Sequence, residues 1–439
     1  MTSVFTPPAR SKLRLDQTRD LLQRWRVMEK LTVLSLCLVY LLHSIWAART
    51  VMWFLVVPLM LLSVVPYRRL LPIVTSSVFV MAAAFMLLII GTTLLGDGMP
   101  VKELFRQLRY VAAVLVYIIL IAYLVSRDED FLRLLFLWLA PVAAFSVIRD
   151  VGSFSHWSLH AMLGTRLQGT PGLSVYYNPN YIGIMYAMPC VGAVAIMTTR
   201  KLQRIQFAML LVSAGVLMVG ITMTGSRGSL LAAFVGVVVA LVLRASWRMM
   251  LIGACLIVVT LVLALLMPAL GAMLQNPASL QATVPLATEM LQRGDSLRVE
   301  LWTVYLQMVA LKPWLGYGLM FDTRVILPSG NEVMHGHNIF LCAAIRGGVV
   351  SALTLAGLLI AALVSGWRGF RRTGEVTGLG LLAACLAATS VDQEIIPTDL
   401  NYLYILFWLP VAICLGAALA TLRVPVQRPA TPPADIAVS

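Results

Sequence analysis

Apolar residues run along this chain in long unbroken blocks. They neither alternate as in strands nor recur on one face of a soluble helix. The blocks fall at about 31–47, 51–66, 70–95, 110–126, 131–148, 180–198, 207–224, 228–244, 249–270, 338–366, 376–392 and 402–422. A helix needs about 20 apolar residues to cross the hydrocarbon layer. The pattern therefore predicts an all-α polytopic integral membrane protein with about twelve transmembrane helices. The second block is short and fits with snorkelling by Arg49 and Arg68. Ten-residue alternating segments, the mark of a membrane β-barrel, are absent from the sequence.

The blocks divide the chain. Residues 1–30 form a polar, basic arm, read as cytoplasmic and unlike a cleavable leader. Residues 31–270 hold spans one to nine, and 271–337 form one large outward loop. Residues 338–422 hold spans ten to twelve. The tail 423–439, rich in Pro, Ala and Thr, reads as disordered. Within the loop, Leu297, Leu301, Val304 and Met308 repeat at helical spacing, predicting a helix on or dipping into the membrane face. Pro313 ends it, and Gly316 to Gly318 make a turn.

Composition sharpens this picture. Hydrophobic residues make up 60%, charged residues 12%, and the mean hydropathy is +0.89. That excludes an ordinary soluble enzyme. The net charge of +14 reads as topology, not nucleic-acid binding. With the N-terminus inside, most Lys/Arg fall in cytoplasmic segments, which places both termini there. The six cysteines all lie in apolar blocks and read as buried hydrophobes.

Candidate chemistry gathers at the junction of the large loop and span ten, NEVMHGHNIFLCAAIRGG. His335, His337 and Asn338 sit there, with Arg346 inside the following helix. His337 is the candidate general base, since imidazole accepts a proton near neutral pH. Arg166, Arg227, Arg298 and Arg324 also fall in outward segments. Arginine at a span end is costly unless paired or wet, and several converging would bind an anion such as phosphate through bidentate forks. Each equally suits an interfacial anchor or a partner for Asp295, Asp392 or Glu394. His337 could likewise be a hydrogen-bonded structural residue. A zinc site from His335 and His337, or from His156 and His160, lacks a completing carboxylate or thiolate. In YYNPN, Asn178 and Asn180 suit helix capping, with a sugar or phosphate contact by Asn180 as the alternative. No Walker, Rossmann or Ser/His/Asp pattern is present, so no nucleotide-driven chemistry and no cofactor are expected.

Together RLQGTPG…YYNPN (166–180), TGSRGS (224–229), SLRVELW…KPWLGYG (296–318) and GHNIFLCAAIRGG (336–348) resemble the O-antigen ligase family, which is related to the O-antigen polymerases. Where the family often has Gly, Thr or Tyr, this chain has Ser351. The resemblance implies a membrane glycosyltransferase similar to the GT-C type, metal-independent, at the periplasmic face of the Gram-negative inner membrane. Its implied partners are an undecaprenyl pyrophosphate-linked polysaccharide donor, a lipid A–core acceptor and membrane lipids. The family's essential histidine matches His337, and its essential arginines match Arg227 and Arg298. Arg166 fits a less certain position. Arg324, Arg346, Asn338, Asn180 and His335 are then expected to help bind substrate. A polymerase or protein O-oligosaccharyltransferase using the same donor, or a transporter of lipid-linked glycan without chemistry, are the competing readings.

Overall fold

The computed structural model describes residues 26–42, 45–62, 67–96, 98–154, 166–169, 178–244, 247, 249–251, 253–255, 258, 298–392 and 401–420. The basic arm before Arg26, almost all of the ninth predicted span, the first part of the large loop and the tail lie outside the described residues. So do His156, His160, Asp295 and Glu394.

The described chain is mostly helical. Seven of its helices are long and apolar enough to cross a membrane: α5 (Ser77–Leu95), α6 (Val101–Arg127), α7 (Phe131–Phe154), α8 (Pro179–Thr199), α9 (Arg204–Met223), α10 (Arg227–Arg244) and α12 (Ile339–Thr373). Shorter apolar helices occupy other predicted spans. They are α1 (Val27–Leu41), α2 (Ile45–Val51) running through a π turn (Met52–Val56) into α3 (Val57–Leu62), α13 (Thr377–Asp392), and α14 (Leu409–Leu419) after the π turn Tyr404–Trp408. This is the architecture of a multi-pass membrane protein.

One predicted span is broken. The block 70–95 holds two helices, α4 (Tyr67–Val74) and α5. Ser76 ends the first and caps the second, accepting from Phe79 N at 3.2 Å while donating to Ile73 O at 2.6 Å. The hydroxyl satisfies orphan groups on both sides of the break.

Small residues set the helix spacing that positions the site. A Cβ on Gly236 of α10 would stand 2.8 Å from the Ala384 Cβ and 2.9 Å from the Gly380 carbonyl of α13. One on Gly380 would meet the Ala240 Cβ at 3.5 Å. The pairing descends along one helix as it ascends the other, so α10 and α13 are antiparallel and in backbone contact, as small residues allow within membranes. The start of α10 therefore lies beside the end of α13. By the same argument α12 and α5 are antiparallel: Gly347 approaches Thr92, and Gly357 approaches Met81.

Inside α12 the helix breaks. Gly347 and Gly348 leave helical geometry, Gly348 with φ 70° and ψ −179°, a conformation open essentially to glycine alone. The backbone groups released there do not go unpaired. Val349 N donates to Pro313 O at 2.7 Å, Tyr317 N to Ile345 O at 2.7 Å, and Gly318 N to Arg346 O at 2.9 Å. The loop Pro313–Gly318 thus completes the hydrogen bonds of a broken membrane helix, which irregular backbone at that depth demands. Leu319 N then donates to Thr93 Oγ1 at 2.7 Å, tying the same loop to the end of α5.

Candidate active site

The site is assembled from helix ends. At the start of α8, Asn178 caps the helix by accepting from Asn180 N at 2.9 Å. The Asn180 side chain is left to face Arg166, whose Nη2 donates to Asn180 Oδ1 at 2.7 Å. Arg166 Nε donates to Thr224 O at 2.8 Å, and Leu167 N donates to Met223 O at 2.8 Å. The RLQG segment is therefore laid across the turn between α9 and α10. Gly225 makes that turn with φ 58°. Ser229 Oγ donates to Asn180 O at 3.1 Å and packs 2.8 Å from Ser226 Oγ, locking α10 to α8. Arg227 opens α10 from this cluster and is exposed.

The histidine loop is built separately. His337 holds φ 47°, left-handed backbone that histidine visits more readily than most side chains. Its N–H donates to His335 Nδ1 at 3.3 Å, and the two rings lie 4.2 Å apart at 47°. In neutral His335 the proton then resides on Nε2. Asn338 caps α12, accepting from Phe340 N and Leu341 N at 2.9 and 3.2 Å. Its Nδ2 donates to Ser390 O at 3.1 Å, near the end of α13.

That last bond brings the halves to one face. The end of α13 lies beside the start of α10, so His337 and Asn338 stand on the same end of the bundle as Arg227, Arg166 and Asn180. The loop helix α11 (Arg298–Leu311) approaches from outside the bundle. Its Trp302 Nε1 donates to Gly336 O at 3.1 Å, and a Cβ on Gly336 would meet the Tyr305 ring at 2.8 Å. Arg298 opens α11, one turn before Trp302. Tyr305 OH in turn donates to Thr323 O at 2.5 Å, and Thr323 Oγ1 to Met334 O at 3.0 Å.

Two predicted anion binders are occupied by protein groups. Arg346 is only 7% exposed, and its Nη1 donates to Leu319 O at 2.7 Å and Phe321 O at 2.5 Å. It holds the loop that patches the α12 break. Arg324 forks onto Asp322, with Nε at 3.0 and 2.9 Å from the two oxygens and Nη2 at 2.5 Å from Oδ2. The guanidinium holds the Asp322 carboxyl at about 2, below the usual carboxylate range. Arg324 adjoins a small hairpin, β1 (Val325–Ile326) and β2 (Glu332–Val333), in which Val325 pairs with Val333. The sequence pattern did not predict this hairpin. Nor did it single out Trp302, Tyr305, Ser229 or Ser390. The available signal was the aromatic pair in α11: the buried face is Leu301 and Tyr305, with Val304 and Met308 only partly covered. Among the described residues no group of three or more His, Cys, Asp and Glu could hold a metal ion.

Comparison with known proteins decides the kinship of the central part of this chain. Residues 207–356 match the family model described as O-Antigen ligase. That stretch, about a third of the chain, is similar to the O-antigen ligase family. It contains Arg227, Arg298, Arg324, His335, His337, Asn338 and Arg346; Arg166 and Asn180 lie before it. A curated O-antigen ligase of Pseudomonas aeruginosa is 28% identical over 123 residues, covering 28% of this chain and 30% of that relative. The matched region thus spans less than a third of the relative's length. Within residues 207–356 the match agrees with the resemblance read from the motifs.

Proposed function

We propose that this protein is an O-antigen ligase. It transfers polysaccharide from undecaprenyl pyrophosphate to the lipid A–core oligosaccharide at the periplasmic face of the inner membrane, within a twelve-span, GT-C-like frame. The observation that carries the reading is the Asn338–Ser390 bond together with the antiparallel α10–α13 pair. They bring a histidine loop and an arginine-bearing helix start to one end of a membrane bundle.

The chemistry follows from the leaving group. A sugar on a prenyl pyrophosphate is already activated, so the reaction needs no nucleotide and no metal. His337 takes the proton of the acceptor hydroxyl. That oxygen forms the new bond to the anomeric carbon as the bond from carbon to pyrophosphate oxygen breaks, and the pyrophosphate leaves on its lipid. A single displacement inverts the anomeric centre. Arg227 and Arg298 meet the negative charge growing on the phosphate oxygens. By analogy with one oxyanion donor, each is worth about 3 kcal/mol. Arg166, held to Asn180, orders the floor beside Arg227. His335 sets the position of His337 through its backbone N–H.

Purified full-length protein, given both lipids with a chelator and without ATP, should form the lipid A–core conjugate. His337→Ala should insert normally and form none. Full turnover in that variant removes histidine from the base role. Strict dependence on added metal overturns the mechanism. Elongated carrier-bound polymer in place of conjugate makes the protein a polymerase.

A further inference from the structure

A second cationic surface lies at the same end of the bundle, outside the cluster described above. α6 begins at this end, because α5 reaches it and the Pro313–Gly318 loop ties down its last turn through Thr93. The first turns of α6 carry Lys102, Arg106 and Arg109, spaced so that all three project from one side of the helix. They line a cavity of 540 Å³ whose far wall includes Met320 of the loop after α11. All three cations are exposed. Glu103 is buried beneath them and accepts from Arg106 Nε at 3.0 Å and Gln107 Nε2 at 2.7 Å. One carboxylate thus faces three cations, and the cavity has net positive charge.

The apolar residues say what kind of anion fits. Phe105, 67% exposed, and Met320, 52% exposed, are lining residues of the cavity, and Val101 and Leu108 are exposed on the same turns. Beyond them α6 continues without interruption through the apolar, largely buried run from Val111 to Val125. The stripe therefore sits where water gives way to hydrocarbon. Cations interleaved with exposed aromatic and aliphatic side chains at that level match a lipid, with phosphate on the basic side and chains along the apolar one. A free phosphate ion would leave Phe105 and Met320 unused.

We propose that this groove binds a phosphate-bearing membrane lipid of the leaflet on the candidate-site side, its phosphate held by Lys102 and Arg109, with Arg106 committed to Glu103. The site is independent of the ligase reading: it stands or falls on lipid binding, not on transfer. Its wall is Met320, which sits between the two carbonyls that Arg346 grips, so an occupied groove abuts the loop that patches α12.

The test uses the full chain purified in detergent and titrated with short-chain phosphatidylglycerol, with bound lipid counted by native mass spectrometry. The wild type should retain this lipid and lose at least roughly tenfold in affinity in Lys102→Glu/Arg109→Glu, two basic contacts having been reversed. Lys201→Glu/Arg204→Glu, which reverses two exposed charges at the opposite end of the bundle, should bind like wild type. Should the first double variant not fold, Lys102→Gln/Arg109→Gln replaces it, with the same direction expected. Equal retention by the groove variant overturns the proposal. So does equal loss in the control pair, or displacement of the lipid by equimolar inorganic phosphate, which would make this a site for a free anion.

Discussion

His337 occupies left-handed backbone, and for a side chain other than glycine that costs about 1–2 kcal/mol. The residue two before it and the cap after it hold the conformation, so the imidazole is presented at a fixed angle. This separates function from folding in a measurable way. His337→Gly removes the backbone penalty and the ring together. It should melt at or above the wild-type temperature in detergent while losing ligation by about 10²–10⁴-fold, the usual share of a general base. A variant that melts lower would show that the ring, through its contact with His335, holds the loop together. The arginines divide at the same scale. Asp322 ionises at about 2, so the pair with Arg324 is present above the ordinary carboxylate pKa near 3.8 and fades only as pH falls toward 2. Across the working range Arg324 stays committed to its neighbour. Arg324→Ala should then cost less than about tenfold in activity, as an exposed pair does. Arg227→Ala should cost about 10²–10³-fold. Comparable losses at both sites, measured as kcat/KM for the donor, would put Arg324 into the site.

At the scale of the element, the instructive part is the break in α12. A Cβ on Gly348 would stand 2.0 Å from Trp314 O, at φ 70°. Gly348→Ala meets both a clash with backbone and a conformation reserved for glycine, and it should cost about 3 kcal/mol or more. The expected readout is a marked loss of detergent-solubilised protein on heating, before any loss attributable to the chemistry. A variant with unchanged melting would mean that the loop does not close over the break. Most helix positions were legible, because polar residues flank many of the apolar blocks: Asn178, Gln203, Arg244 and Asn338 all stand at or beside helix ends. The break itself was not. Hydropathy averages across two glycines between Arg346 and Val349 inside an apolar run, and the partner loop lies some thirty residues earlier. KPWLGYG reads as a turn after a helix in the sequence. In the fold it is the hydrogen-bonding complement of a distant helix, which only tertiary packing reveals. The split at Ser76 escaped for the same reason, three small polar residues (Thr75 to Ser77) inside an apolar block. Arg346 is the converse case. Its position in an apolar run marked it as exceptional, but the carbonyls that explain it come from Leu319 and Phe321, outside any local pattern.

Across the whole molecule, the polar groups are sorted to two ends. One end carries Arg166, Asn180, Arg227 and the histidine loop. The other carries the ion pairs Arg26–Asp128 and Arg200–Glu375, the latter at 2.9 Å, with Arg244 close to Gly374. The helices that join these ends are apolar for most of their length, so a bilayer around them would separate the two sets of charges. The basic residues favour the second end as the cytoplasmic one. Thiol accessibility tests this division directly. Five of the six cysteines are buried and only Cys255 is exposed, so Cys255→Ser gives a quiet background. On it, Ser329→Cys at the hairpin tip should react with a membrane-impermeant maleimide in intact spheroplasts. Lys201→Cys, between α8 and α9, should react only after the membrane is opened. The opposite pattern would put the histidine loop in the cytosol, where a donor displayed outside could not reach it. Labelling of both in intact spheroplasts would mean that the two ends are not separated by the bilayer at all.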